Sequence, residues 1–119
     1  MSGLRDVSEI FMRRGEVWWV IFNNAVGEEI NKTRPAIIIS NDISNKVLER
    51  VQIVPLTSNI KKCYSSEAII YLDCQKSKAL AHQITTVSKK RLKTKIGVIS
   101  NNDINLVEQA IKAQLFLMT

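Results

Sequence analysis

Short apolar stretches alternate with polar segments along most of the chain. Residues 16–22 (EVWWVIF) form a nearly continuous run of β-branched and aromatic residues, which is typical of a strand buried on both faces or nearly so. Four later runs of similar character are separated by polar turns. They predict strands at 36–40, 51–56 and 68–72, and one or two more within 78–87.

Polar and proline positions refine this pattern. Residues 23–33 (NNAVGEEINKT) are polar and contain Gly27, so we expect a loop there. Pro55 lies inside the third predicted strand and cannot donate a ladder hydrogen bond, which indicates a sheet edge or a bulge. The single histidine, His82, falls on the predicted strand 78–87, where a structural or surface role is typical.

The pattern changes to a helical period near the carboxyl end. Ile104, Val107 and Ile111 recur at helical spacing, and good capping residues precede them at 100–103 (SNND). Several short strands followed by one helix predict a mainly β fold, a small antiparallel barrel or sandwich with a terminal helix packed on it. We expect residues 1–12 to be a short, flexible extension and 13–119 to be a single domain, with Met12 as an alternative start.

Composition is ordinary for a globular protein, with 45% hydrophobic and 24% charged residues in 119. No apolar run approaches the roughly 20 residues that a membrane helix needs, and residues 1–11 lack a signal-peptide core. We therefore expect a soluble, cytoplasmic protein that does not contact a membrane.

The charge balance suggests a polyanionic partner. Lys and Arg number 17 against 11 Asp and Glu, a net charge of +6, which favours nucleic acid, although an acidic protein would also satisfy it. Two cysteines, Cys63 and Cys74, have neither CxxC spacing nor a histidine cluster, so no metal site is expected. The sequence has no glycine-rich phosphate loop and no HExxH motif, and chemistry would have to come from ordinary polar groups.

Two polar residues at predicted strand ends are candidates for that chemistry. Arg34 precedes Pro35, which restricts it to extended geometry, and it follows the loop that carries Glu28 and Glu29. Thr57 ends the strand 51–56, where its hydroxyl could face a shared cleft. Each residue also has an ordinary structural interpretation, a surface ion pair for Arg34 and a turn hydrogen bond for Thr57.

Five motifs in order resemble the MazF/PemK toxins and span about residues 13–117. They are RGEVWW at 14–19, GEE at 27–29 with RPAII at 34–38, SND at 40–42, PLTS at 55–58, and QI at 83–84 followed by TV, K, RL and IG through 97. In this family the SND-like element is a turn, so the resemblance implies a turn at 40–42. The resemblance implies an SH3-like barrel that forms a homodimer, with single-stranded RNA bound in a groove at the dimer interface. It also implies a cognate antitoxin whose acidic, partly disordered tail occupies that groove.

The same resemblance implies a sequence-specific, ribosome-independent endoribonuclease that uses neither metal nor cofactor. The family's catalytic residues fall on Arg34, Thr57 and Glu29. Candidate RNA-binding residues are Gln83, Ser58, Lys61, Lys62 and Ser77.

Departures from the family pattern leave alternatives open. The loop at 23–27 lacks the usual proline, Thr85 replaces a frequent arginine, and Ala81-His82 replaces the usual acidic residue before Gln83. These changes affect the expected base preference more than the expected activity. A non-catalytic toxin that binds DNA gyrase and a plain nucleic-acid-binding module on the same fold are the alternatives.

Overall fold

The computed structural model describes residues 12–22 and 32–117. Most of the predicted extension 1–12 and of the predicted loop 23–33 therefore lies outside the described residues. The strands are β1 (Glu16–Phe22), β2 (Lys32–Ile38), β3 (Arg50–Thr57), β4 (Glu67–Leu72), β5 (Gln75–Leu80), β6 (Thr85–Ser88) and β7 (Leu92–Val98). The α-helices are α1 (Asp42–Val47) and α2 (Asn101–Leu115), and short 3-10 turns occupy Ala81–Gln83 and Lys89–Arg91.

The strands form one antiparallel sheet in the order β4-β5-β3-β2-β1-β7, and β6 also pairs with β3. The prediction of a mainly β fold with a terminal helix is confirmed. Among the described residues, strand hydrogen bonds leave the sheet open between β4 and β7. These two strands still approach each other, because a Cβ atom added at Gly97 would lie 3.0 Å from Leu72 Cδ1.

Strand β3 is central to the sheet, so the edge interpretation of Pro55 is wrong. Residues 53–55 pair with β2 on one side. On the other side β3 pairs with β6 up to Ile53 and with β5 from Leu56. Pro55 thus lies where one neighbouring strand ends and the next begins, a position where a missing N–H is tolerated.

Apolar residues cover both faces of β2 and β3, which explains their continuous apolar sequences. Ile37 and its partner Val54 belong to a cluster that includes Val107 of α2. Ile38 and its partner Ile53 belong to a second cluster on the opposite face. Because paired residues point to the same face, the alternation along each strand divides the core in two.

Helix α2 begins at Asn101, three residues before the first periodic isoleucine. Ser100 is its N-cap and accepts a hydrogen bond from the Asp103 amide at 3.1 Å, which confirms the predicted capping segment. The Asp103 carboxylate accepts a hydrogen bond from the Tyr71 amide at 2.8 Å and so attaches the helix to β4. The start of α2 is thereby fixed against the sheet.

A glycine connects the start of β1 to this helix. Gly15 has a positive φ of 92°, and a Cβ atom there would lie 2.9 Å from Ile104 Cδ1. Its amide donates to the Ile38 carbonyl at 2.8 Å, and its carbonyl accepts from the Ile99 amide at 3.0 Å. Both the backbone conformation and the close approach require glycine at this point of the RGE motif.

Two predictions of local structure need correction, and one strand was not predicted. The SND motif does not form a simple turn, because Asn41 caps helix α1 by accepting from the Ser44 amide at 2.9 Å. His82 does not lie on a strand, because the predicted segment 78–87 divides into β5, a 3-10 turn and β6. Strand β7 was not anticipated. Within the described residues, no helix is long and apolar enough to cross a membrane.

Candidate functional site

A cleft of about 440 Å³ opens at the end of strand β3, beside strands β1, β2 and β5. Four of the candidate residues from the sequence line the cleft: Arg34 of β2, Thr57 of β3, Ser58 directly after β3, and Ser77 of β5. The complete lining comprises Trp19, Arg34, Pro35, Leu56, Thr57, Ser58, Ser77 and Leu80. The cleft therefore combines one cation and several hydroxyl groups with apolar walls.

Arg34 enters the cleft from the middle of β2, where it pairs with Val20 of β1. Pro35 follows it and holds it in extended geometry, as the sequence indicates. The guanidinium is half-buried, and it makes no hydrogen bond or ion pair with the residues that the structure describes. Its planar fork of N–H donors suits an anion that accepts two hydrogen bonds at once, such as a phosphate.

Thr57 is the last residue of β3 and lies on the same cleft. Its Oγ1 accepts a hydrogen bond from the Asn59 amide at 3.2 Å, so the structural interpretation of this residue, a turn hydrogen bond, is confirmed. A hydroxyl has one donor and two acceptor positions. The Asn59 bond occupies one acceptor position and leaves the O–H of Thr57 able to donate.

Trp19 forms an apolar wall of the cleft that the sequence analysis missed. The residue is 41% exposed, so β1 is not buried on both faces at this point. Trp18, its neighbour, is half-buried and donates its indole N–H to Glu16 at 2.9 Å. The alternation of the two tryptophans across a strand would have indicated that one of them faces outward.

The loop 58–66 runs from the cleft toward β4. Lys61 and Lys62 are exposed on it, and neither lines the cleft. Beneath the loop, Lys78 Nζ lies 3.2 Å from Glu67 Oε1. The pKa of Glu67 is lowered, first by the hydrogen bond from the Tyr64 amide and then by Lys78 and His82.

One further candidate and a basic segment, both among the described residues, lie outside the cleft. Gln83 is exposed in the 3-10 turn beside His82, with 3.5 Å between their side-chain nitrogens, and it does not line the cleft. Lys89 donates to the Asn45 carbonyl and Arg91 to the Ile21 carbonyl at 3.5 Å, so the basic segment 89–91 is partly used within the fold. Glu29, the third candidate for catalysis, lies outside the described residues.

Cys63 and Cys74 are exposed, unpaired thiols. Across residues 12–22 and 32–117, no three His, Cys, Asp or Glu side chains come together in a group that could hold a metal ion.

The sequence and the fold match a known family. The family model described as PemK-like, MazF-like toxin of type II toxin–antitoxin system matches residues 13–115. The chain belongs to this toxin family. Endoribonuclease MazF9 of Mycobacterium tuberculosis is 36% identical over 118 residues, which cover 89% of this chain and 98% of that protein. Endoribonuclease MazF of Staphylococcus saprophyticus is 33% identical, with 91% of this chain and 94% of that protein covered.

Solved structures of MazF-type proteins share the fold. An endoribonuclease in complex with its cognate antitoxin from a mycobacterial species superimposes with a TM-score of 0.75 at 21% identity, covering 91% of this chain and 98% of that chain. MazF from Deinococcus radiodurans gives a TM-score of 0.75 at 21% identity, and the match covers 89% of this chain and 97% of that chain. The mainly β architecture with its terminal helix is therefore that of the MazF-like toxins.

Proposed function

We propose that this MazF-like toxin is a sequence-specific endoribonuclease that cleaves single-stranded messenger RNA without a metal ion and without the ribosome. The observation that carries the proposal is that Arg34 and Thr57 line the same cleft. The names of its curated relatives, both endoribonucleases, support the same activity.

RNA supplies its own nucleophile, so the reaction does not require a metal-activated water. The ribose 2′ oxygen attacks the adjacent phosphorus, and the bond from phosphorus to the 5′ oxygen breaks. The products are a 2′,3′-cyclic phosphate and a 5′-hydroxyl. Between them lies a five-coordinate transition state with additional negative charge on its oxygens, and groups that stabilise this charge accelerate the reaction.

Arg34 and Thr57 are the groups to which we assign that role. The planar guanidinium donates two hydrogen bonds at once and stays charged. The Thr57 hydroxyl, oriented by Asn59, donates to a non-bridging oxygen. Preorganised donors of this kind are worth about 2.7–4 kcal/mol each in the barrier.

We assign to Glu29 the role of the base that accepts the proton of the 2′-hydroxyl. A positioned carboxylate in this role typically raises the rate by about 10²–10⁴-fold. The departing 5′ oxygen takes up a proton from Arg34 or from water. Water is the better donor, because a guanidinium holds its protons tightly.

Substrate binding uses the remaining cleft residues and the adjacent loop. Unpaired bases are splayed from a single strand and read on their edges, a role that we give to Gln83, Ser58 and Ser77. The exposed face of Trp19 is suited to stacking against one base. Lys61 and Lys62 contact phosphates, which makes the affinity strongly dependent on salt.

We further propose that the strands form an SH3-like barrel and that two copies of the chain form a homodimer. RNA binds in a groove at the dimer interface and contacts both subunits. An acidic, partly disordered tail of a cognate antitoxin competes for the same surface, and the net charge of +6 favours such a tail. The mycobacterial endoribonuclease solved with its antitoxin is the precedent. Sedimentation equilibrium of the free protein tests the dimer.

The activity is tested by incubating the purified protein with labelled single-stranded RNA in EDTA. Arg34→Ala is compared with Arg50→Ala, which removes the same charge near the opposite end of the β2–β3 pair. Residues 50 and 57 are about 23 Å apart along β3, at about 3.3 Å per residue. Discrete fragments from the parent and Arg50→Ala, but not from Arg34→Ala, support the proposal.

Other outcomes favour the two alternatives. RNA that stays intact across many sequences rules out the ribonuclease. Binding without cleavage then indicates a nucleic-acid-binding module, and inhibition of DNA supercoiling indicates a gyrase-binding toxin.

A further inference from the structure

An ion pair lies beneath the loop 58–66, on the face of the β4–β5 pair opposite to the buried residues Ala68 and Ile70. Lys78 Nζ and Glu67 Oε1 are 3.2 Å apart, and each side chain is only 9% exposed. Lys78 pairs with Thr57 across the β3–β5 ladder, so both side chains project from the same face of the sheet. The cation is therefore next to the strand end that carries the proposed phosphate-binding hydroxyl.

Burying two charges is unfavourable unless each is paired and also hydrogen-bonded. Here the additional hydrogen bonds all involve the loop. Lys78 Nζ donates to the Lys62 carbonyl at 2.7 Å, and Glu67 Oε1 accepts from the Tyr64 amide at 3.0 Å. The pair thus holds the main chain of the loop on both sides of Cys63.

The segment 58–63 has few other attachments. The bonds from Asn59 to Thr57 and from Lys61 to Asn59 join near neighbours in sequence. Among the hydrogen bonds within the described residues, the bond from Lys78 is the one that connects this segment to a different strand. Beyond it, the Tyr64 carbonyl and the Ser66 carbonyl are bonded to the Glu67 and Ala81 amides.

Geometry limits how far the loop can extend from the cleft while this bond is present. Ser58 lines the cleft, and the fixed carbonyl of Lys62 follows four residues later. Four residues span at most about 14 Å when fully extended. The side chains of Lys61 and Lys62 therefore start close to the cleft whenever Lys78 holds the loop.

We propose that the Lys78–Glu67 pair positions the loop 58–66 as a fixed wall of the cleft and thereby sets the affinity for RNA. This inference rests on the proposed function, because it assigns the loop to substrate binding. Lys78 and Glu67 are positioning residues: they act through the main chain of Lys62 and Tyr64. A pair that only stabilised the fold would have no separate effect on substrate binding.

The test follows loop mobility independently of RNA. A nitroxide label on Cys63 in the Cys74→Ser protein reports the loop, and the same label on Cys74 in the Cys63→Ser protein reports the β4–β5 turn. Both thiols are exposed and unpaired, so labelling requires no rearrangement. The label spectra are then measured for proteins with substitutions in the ion pair. The kcat and KM for RNA cleavage are measured for the same substitutions in unlabelled protein.

Lys78→Met should mobilise the label at Cys63 and leave the label at Cys74 unchanged. We expect KM to rise by about two- to tenfold, the cost of ordering one or two further side chains on binding, while kcat changes by less than about twofold. Glu67→Gln keeps an oxygen that can accept from the Tyr64 amide and should give a smaller change in both measurements. If Lys78→Met does not fold, Glu67→Gln provides the same two measurements on the weakened ion pair.

The double variant Lys78→Met with Glu67→Leu separates positioning from stability. Replacing both charges by apolar groups should restore the urea midpoint lost in Lys78→Met, because no unpaired charge remains. The loop still lacks its attachments, so the raised KM and the mobile label should persist. If KM returns with the midpoint, the pair is a stability element and the proposal is wrong.

Two further results are decisive. An unchanged Cys63 spectrum in Lys78→Met contradicts the anchoring. If the parent protein cleaves no RNA, the proposed function fails, but the label spectra still decide whether the pair anchors the loop.

Discussion

The hydroxyl of Thr57 accepts a hydrogen bond from the main-chain amide of Asn59, two residues further along the chain, at 3.2 Å. This bond fixes the orientation of the side chain without using its hydrogen. The same contact that makes Thr57 a turn residue therefore leaves its O–H able to donate in the cleft that it lines, as the proposed role requires. A structural and a catalytic interpretation of this threonine are compatible.

Thr57→Val, which keeps the shape but removes the hydroxyl, should lower kcat by about 10²- to 10³-fold, the usual loss for one preorganised donor. RNA affinity should stay within a few fold, because the donor acts mainly in the transition state. Thr57→Ser retains the hydroxyl and should keep most of the rate. Single-turnover cleavage and binding to a 2′-deoxy-substituted RNA measure the two effects. An equal loss of binding and rate would make Thr57 a uniform contact instead.

Trp19→Ala should weaken binding of the same uncleavable RNA by about 1–3 kcal/mol, the range for one base stacked on an aromatic side chain. Trp19→Phe keeps an aromatic face and should retain most of the affinity. Trp19 is 41% exposed, so Trp19→Ala also loses packing and should lower the urea midpoint more than Trp19→Phe does. Binding is therefore measured under conditions in which urea unfolding shows both variants to be folded. Full affinity in Trp19→Ala would show that the bases bind elsewhere.

The sequence predicted features of the fold and of the site that depend on local chemistry. Pro35 restricts Arg34 to extended geometry wherever the strand lies, and Ser100 caps a helix that it immediately precedes. Both predictions needed only neighbouring residues. The meeting of Arg34 with Thr57 came from the family resemblance and not from the spacing of the two residues.

Features set by long-range pairing were not predictable. Strand β7 has the sequence LKTKIGV, in which apolar residues do not alternate with polar ones. Its pairing with β1 is irregular, so the buried positions do not follow a simple period of two. Helix α1 has six residues, too few to show a period. The Lys78–Glu67 pair depends on the register of β4 with β5 and on the path of the loop above them, and neither is determined locally.

Gly15→Ala should destabilise the fold by about 1–3 kcal/mol, the usual cost of a strained backbone conformation. Its φ of 92° is unfavourable for alanine, and the new Cβ would lie 2.9 Å from Ile104 Cδ1. Gly97→Ala is the matched control, because its Cβ would meet Leu72 Cδ1 at 3.0 Å without a positive φ. It should stay within about 1 kcal/mol of the parent, since a side-chain tip can move aside. Equal losses in urea unfolding would mean that crowding, and not φ, is the cause.

Glu67 gives the stability of the fold a dependence on pH. Its pKa in the folded protein is lowered from the ordinary value of 4.5, chiefly by the Tyr64 amide and further by Lys78 and His82. The unfolded chain therefore binds more protons near that pH, so this contribution is complete well above 4.5 and disappears as the pH falls through the lowered folded value. The urea midpoint of the parent should exceed that of Glu67→Gln at neutral pH, and the difference should shrink on acidification because a protonated glutamate resembles glutamine. A difference that stayed constant from neutral to acidic pH would show that the charge of Glu67 does not stabilise the fold.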